Sequence, residues 1–172
     1  MAYSVACWGA RGAAADPQTP LFVIDWALIE AWPLADAIRR SVWAYPLIET
    51  VHISAFAVLV GSLLVLEVRV FGAQPALSHV ALGRLVVRIA VVALSAAVLA
   101  GSLLFISDAA QVAANPAFRL KLVLILMALL NAAVFHARDS LRRHDAVARW
   151  QAGLSIALWF AVIAAGRMIA YI

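Results

Sequence analysis

Charge is scarce in this chain of 172 residues. Asp, Glu, Lys and Arg make up 13% of it and apolar residues 66%, against about 25% and about 45–50% in soluble domains. That balance excludes an ordinary soluble domain. Cysteine is scarcer still. Cys7 stands alone, so no internal disulfide forms, and no Cys/His pattern has metal-site spacing. Nine acids face thirteen lysines and arginines, a net charge of +4. The arginines gather at the ends of apolar runs, not among aromatics. That suits lipid head groups and argues against nucleic acid. There is no low-complexity region, no internal repeat and no basic-then-apolar layout of a cleaved signal peptide. Nor is there an inverted repeat or broken helix, which ranks a solute carrier last.

What the chain has instead is long apolar runs. The stretch PLIETVHISAFAVLVGSLLVLEVRVFG, residues 46–72, carries no charge from Ile53 to Leu66. With its flanks it exceeds the ~20 residues that a spanning helix needs. In hydrocarbon the backbone must satisfy its own hydrogen bonds, so such a run is helical. Pro46 suits a first turn, and Gly72 with Pro75 suits a stop. The fold class expected is an all-α polytopic membrane protein: a four-transmembrane-helix bundle behind an N-terminal amphipathic interfacial segment. The chain divides into a tail (1–20), the amphipathic segment (21–45) and the transmembrane domain (46–172), with spans at about 46–70, 84–106, 117–137 and 150–171.

Residues 21–43, LFVIDWALIEAWPLADAIRRSVW, mix three tryptophans with Asp25, Glu30, Asp36, Arg39 and Arg40. Pro33 starts a new helix there. The segment suits the interface plane or a seat on the end of the bundle. In the second span, Ala97 and Gly101 form a small-xxx-small pair that permits close helix approach. The connections 69–88 and 137–149 hold seven arginines, whereas the opposite loop has only Arg119 and Lys121 at its end. The positive-inside rule then makes the arginine-rich side cytoplasmic, with both termini periplasmic in a bacterial inner membrane.

This topology sorts the ionisable residues into two layers. Glu49, His52, Asp108, Arg119, Lys121, Arg167 and Tyr171 form the outer one. Glu67, Arg69, His79, Arg84, Arg88, His136, Arg138, Asp139 and His144 form the inner one. His52 and His136 each border fourteen uncharged residues, so they lie roughly 20 Å apart along the axis at ~1.5 Å per residue. They cannot ligate one metal together. Ionisable groups inside spans are functional candidates. His52 therefore reads as a ligand to haem iron or copper, as a proton relay with Glu49, or as a bundle histidine satisfied by Glu49 or Tyr171. Glu49, one turn earlier, is the expected orienting acceptor. Lys121 and Arg167, at the same depth, either snorkel outward or counter Glu49, Asp108 or a haem propionate. Met168 is the methionine nearest that layer. Glu67 and Arg69, two apart, each meet another helix or water, and Asn131 bonds a neighbouring helix.

The strings SVWAYPLIETVHI, VRVFG, NPAFRLKLVLI, LNAAVFHAR and AGRMIAY resemble an uncharacterised family of small bacterial four-helix inner-membrane proteins, over roughly residues 33–172. The layout is more distantly similar to copper-resistance D-type membrane domains and haem-binding membrane protoporphyrinogen oxidases. That similarity implicates His52, Lys121 and His136. The function expected is a redox-associated module binding b-type haem or copper near its periplasmic side, with His52 as ligand and Glu49, Lys121 and Arg167 around the cofactor. The alternative is a non-catalytic subunit that anchors or assembles a larger membrane complex. The partners expected are the lipid bilayer and a membrane or periplasmic protein.

Overall fold

A computed structural model describes residues 25–143 and 145–171. The expected tail 1–20, residues 21–24 of the amphipathic segment, and His144 lie outside the described residues. Four helices are long and apolar enough to cross a membrane: α3 (Ala44–Val70), α4 (His79–Ser107), α6 (Pro116–Ala137) and α8 (Ala146–Met168). Shorter helices α1 (Trp26–Glu30), α2 (Pro33–Arg40), α5 (Ala109–Ala114) and α7 (Ser140–Arg143) complete the described chain.

The spans begin and end where local chemistry directs. Ser78, Asn115 and Asp145 cap α4, α6 and α8 by accepting from the backbone N–H of Ala81, Ala117 and Ala148. Each satisfies a donor that a helix start leaves open. Pro116 occupies the first turn of α6. At the end of α3, Gly72 takes φ +106°. Its N–H bonds Arg69 O while Ala73 N–H bonds Val68 O, the paired closure that a left-handed glycine allows.

Packing follows side-chain size. On α4 the buried stripe is Gly83, Val86, Ala90, Ala93, Ala97 and Ala100. Small residues let backbones approach closely, and α3 and α4 form the most extensive helix pair. The pair α6 and α8 comes next, and α3 against α8 joins the two hairpins. The shared core holds Leu59 and Val60 of α3, Ala90 and Ala93 of α4, Ala128 of α6, and Leu158, Trp159 and Val162 of α8. Asn131 Nδ2 donates to Gln151 O at 3.0 Å, and Ser140 Oγ to Gln151 Oε1 at 2.8 Å. Asn131 therefore does bond a neighbouring helix.

From residue 25 on, the amphipathic segment is seated on the end of the bundle formed by the α4–α6 turn. Pro33 does start a new helix, α2. Arg39 donates to Ser107 O at 3.1 Å and to Glu30 O at 2.7 Å. Glu30 Oε1 accepts from Ala110 N–H at 2.7 Å. Trp26 meets Phe105 edge-on at 5.7 Å, and Phe105 stacks on Phe118 at 5.4 Å. Ala35 and Ile38 are buried while Trp32 and Trp43 stay exposed. The segment thus clamps the turn between α4 and α6.

Asp145 yields a test of the capping argument. It accepts from Ala148 N–H at 2.8 Å and lies 3.2 Å from Arg138 Nη2. The Ala148 N–H first, then Arg138, hold its carboxyl below the usual carboxylate range. A group depressed in the folded state stabilises the fold above its unfolded pKa and loses that effect as pH falls. Asp145→Ala should lower the melting temperature at pH 7. The gap from wild type should close as pH drops below about 3.9, the ordinary Asp value. A gap that stays constant with pH in detergent melting curves would remove the carboxylate from the explanation.

Candidate functional site

Two basic side chains, His52 and Lys121, share one half of the bundle, each against a glycine of a facing helix. His52 stands on α3, one turn inside Glu49. Its Nδ1 lies 2.8 Å from Ala97 O on α4. A carbonyl only accepts, so Nδ1 carries the hydrogen, and in the neutral ring Nε2 keeps its lone pair. The ring lies against Gly101: a Cβ there would stand 2.9 Å from His52 Cε1. Ala97 and Gly101 therefore form a socket, in which one residue bonds the ring and the other makes room for it. The expectation that Glu49 or Tyr171 satisfies His52 is corrected here. Glu49 is exposed and makes no hydrogen bond or ion pair with the other described residues.

Lys121 has the second socket. A Cβ on Gly166 of α8 would stand 3.3 Å from Lys121 Nζ. The ammonium lies 6.0 Å from the centroid of the Phe56 ring on α3, at the limit of a cation–π contact. The side chain is half-buried and forms no ion pair with Glu49 or Asp108. Neither outward snorkelling nor that pairing describes it. The long stem instead reaches across the bundle. Phe56 links the two sockets: its centroid is 6.4 Å from that of His52 and 5.7 Å from that of Trp159. His52, Phe56, Trp159 and Lys121 thus form one cluster drawn from α3, α8 and α6.

Other expected members stand apart. Arg167 is exposed, bonds the Tyr171 hydroxyl and lies 4.8 Å from that ring's centroid. It faces Tyr171 and not the cluster. Met168 is exposed on the outer end of α8. His136 is exposed at the opposite end of α6, with Nδ1 2.8 Å from Ala132 O. Among the described residues no group of three His, Cys, Asp or Glu gathers as metal ligands would.

Glu67 and Arg69, each expected to meet another helix or water, find different partners. Glu67 is 6% exposed and bonds Ser155 of α8, so the carboxyl does meet another helix. Arg69 does not. Its Nε and Nη2 donate to Leu77 O at 3.0 and 2.9 Å, and Nη2 also to Pro75 O at 3.1 Å. It binds the carbonyls of its own connection. Trp159, 4% exposed, is the residue that sequence reasoning passed over. Its only signal is a tryptophan in mid-span, away from the interfacial belts where the residue is common.

The socket geometry makes opposite demands on two glycines. Gly61 has nothing within 4 Å of an added Cβ. Gly61→Ala should be neutral or raise stability by up to about 1 kcal/mol through helix propensity. Gly101→Ala forces the ring away from Ala97 and should cost about 1–3 kcal/mol, as overpacking does. Melting temperatures in detergent decide it, and matching upward shifts would mean that the ring is not seated on Gly101. The sockets rest on this chain's own geometry, because comparison with known families, characterised proteins and solved structures finds no match.

Proposed function

We propose that the chain is a small redox-associated protein of the bacterial inner membrane that binds one b-type haem in its outer half. His52 Nε2 is the protein ligand to the iron. The observation that carries this reading is the Nδ1 bond to Ala97 O. A metal-binding imidazole needs its other nitrogen tied to an acceptor, which fixes both tautomer and ring orientation. Ala97 takes the part expected of Glu49. Lys121 supplies a positive charge at the same depth for a propionate. Phe56 and Trp159 give the apolar aromatic wall that keeps water from the ligand. When bound, haem supplies one-electron chemistry. The chain's own residues orient the ligand, exclude water and balance charge.

The donor set favours haem over copper. One imidazole suffices for a b-type haem with an open or partner-supplied position. A protein copper site gathers several donors, and none assembles around His52 among the described residues. A specific observation favours a second reading, the non-catalytic subunit. The span α6 buries only Ala117 and Ala128 of its 22 residues, and leaves Leu120, Leu122, Val123, Leu126 and Met127 exposed. That face is apolar and open enough to seat a helix of a membrane partner.

His52→Ala should abolish the Soret absorbance while leaving expression intact, and His136→Ala should keep it. Wild-type protein made with adequate haem and purified with its native partners must show the band. If it does not, the redox reading fails and the subunit reading replaces it.

Orientation is tested separately. The arginine-rich connections after α3 and α6 are proposed to be cytoplasmic, with both termini periplasmic. Reporter fusions after Ala76 and after Asp145 should therefore report cytoplasm. Periplasmic activity at both points would invert the molecule.

A further inference from the structure

Two clefts adjoin at the arginine-rich end of the bundle, away from His52. The first, of about 430 Å³, is lined by Arg69, Ser78, Leu141 and Arg142 among others. The second, of about 280 Å³, is lined mainly by apolar residues, with Leu64, Val65, Val68 and Leu82 among them. Arg69 and Leu77 belong to both. A basic cleft and an apolar one therefore lie side by side, with Arg69 and Leu77 between them.

We propose that this pair of clefts binds an anionic phospholipid. The phosphate lies in the basic cleft and an acyl chain follows the apolar one. Arg69 is the pivot. It is 7% exposed, yet no acidic side chain lies within ion-pair distance of it among the described residues. Its Nε and Nη2 are held by Pro75 and Leu77 carbonyls, while Nη1 makes no hydrogen bond with any described residue. A buried guanidinium without a counter-charge is costly, and its fork is shaped for phosphate oxygens. Arg142 stands on the other wall, its charge shared with Asp139 at 3.4 Å. The first turn of α4, capped by Ser78, opens into the same cleft and adds the partial positive charge of a helix start.

Depth and chemistry favour a lipid as occupant. The clefts lie where α3 ends at Val70 and α4 begins at His79, the level of head groups. Val65 and Val68 are exposed on the lipid side, so a chain reaches the second cleft from the bilayer without crossing protein. Basic pockets between spans are a recurrent seat for anionic head groups. This inference stands independently of any cofactor at His52.

The full chain in detergent is titrated with phosphatidylglycerol or phosphatidylcholine, and bound lipid is read by native mass spectrometry. One phosphatidylglycerol should bind about tenfold more tightly than phosphatidylcholine, whose phosphate is the same but whose choline cation is repelled by Arg69 and Arg142. Arg142→Gln should weaken it, and Val68→Trp, which fills the apolar cleft, should weaken it independently. Arg149→Gln, outside the clefts, should not. Arg69→Lys keeps the charge but loses the fork, and should weaken binding in whatever protein folds. Equal retention of both lipids would overturn the proposal, as would unchanged affinity in both Arg142→Gln and Val68→Trp. Displacement by inorganic phosphate alone would also overturn it, by reducing the site to an anion site without a lipid chain.

Discussion

The half of this bundle that holds His52 depends on how closely α3 approaches α4. Lipid tails are as apolar as leucine, so no hydrophobic gain drives two spans together. Contact must come from packing and from polar groups that find partners. The alanine stripe of α4 supplies the first, and the His52–Ala97 bond the second. Neither works alone. A larger residue at position 101 would push the ring off its acceptor, and without the acceptor the imidazole would be a polar group stranded in hydrocarbon. Small residues and the histidine are thus one device.

The same logic runs through the rest of the molecule. Polar side chains in the spans bond backbone carbonyls or neutral side chains far more often than opposite charges. Asn131 reaches Gln151 O and Arg69 reaches Pro75 and Leu77 O, and on the short helix α2 Arg39 likewise reaches Ser107 O. Among the described residues the ion pairs involve Asp36, Asp139 and Asp145, outside the spanning helices. Carbonyls are abundant at helix ends and satisfy N–H donors there, but they leave the charge of a buried cation uncompensated.

That preference decides what the sequence could reveal. The four spans were legible because their apolar runs exceed a bilayer's thickness and end at Pro, Gly, Asn or Asp. His52 was legible because ionisable groups are rare there. Its partner was not, because every residue has a carbonyl and Ala97 leaves no side-chain signal. Gly101 was visible as half of a small-residue pair, but such pairs are common in alanine-rich spans, and nothing in the spacing says that a ring fills the gap. Lys121 was ambiguous for a different reason: four methylenes let its charge travel either way, and only the space at Gly166 decides. Glu49 misled because proximity along a helix suggested a partner that the opposite helix supplies instead.

Arg69 has one more consequence. By holding the carbonyls of Pro75 and Leu77, it ties the end of α3 to the residues that lead into α4. The hairpin α3–α4 is therefore closed on itself. Its loop is fixed from within, and its two helices meet along their most extensive contact. The other hairpin, α6 with α8, is bridged by Asn131 and Gln151. Between the two hairpins runs a thinner seam of α3 against α8, filled by Phe56 and Trp159. Each hairpin is therefore held more firmly within itself than against the other. The two hairpins thus share one core through side chains alone, with Trp159 seated between them.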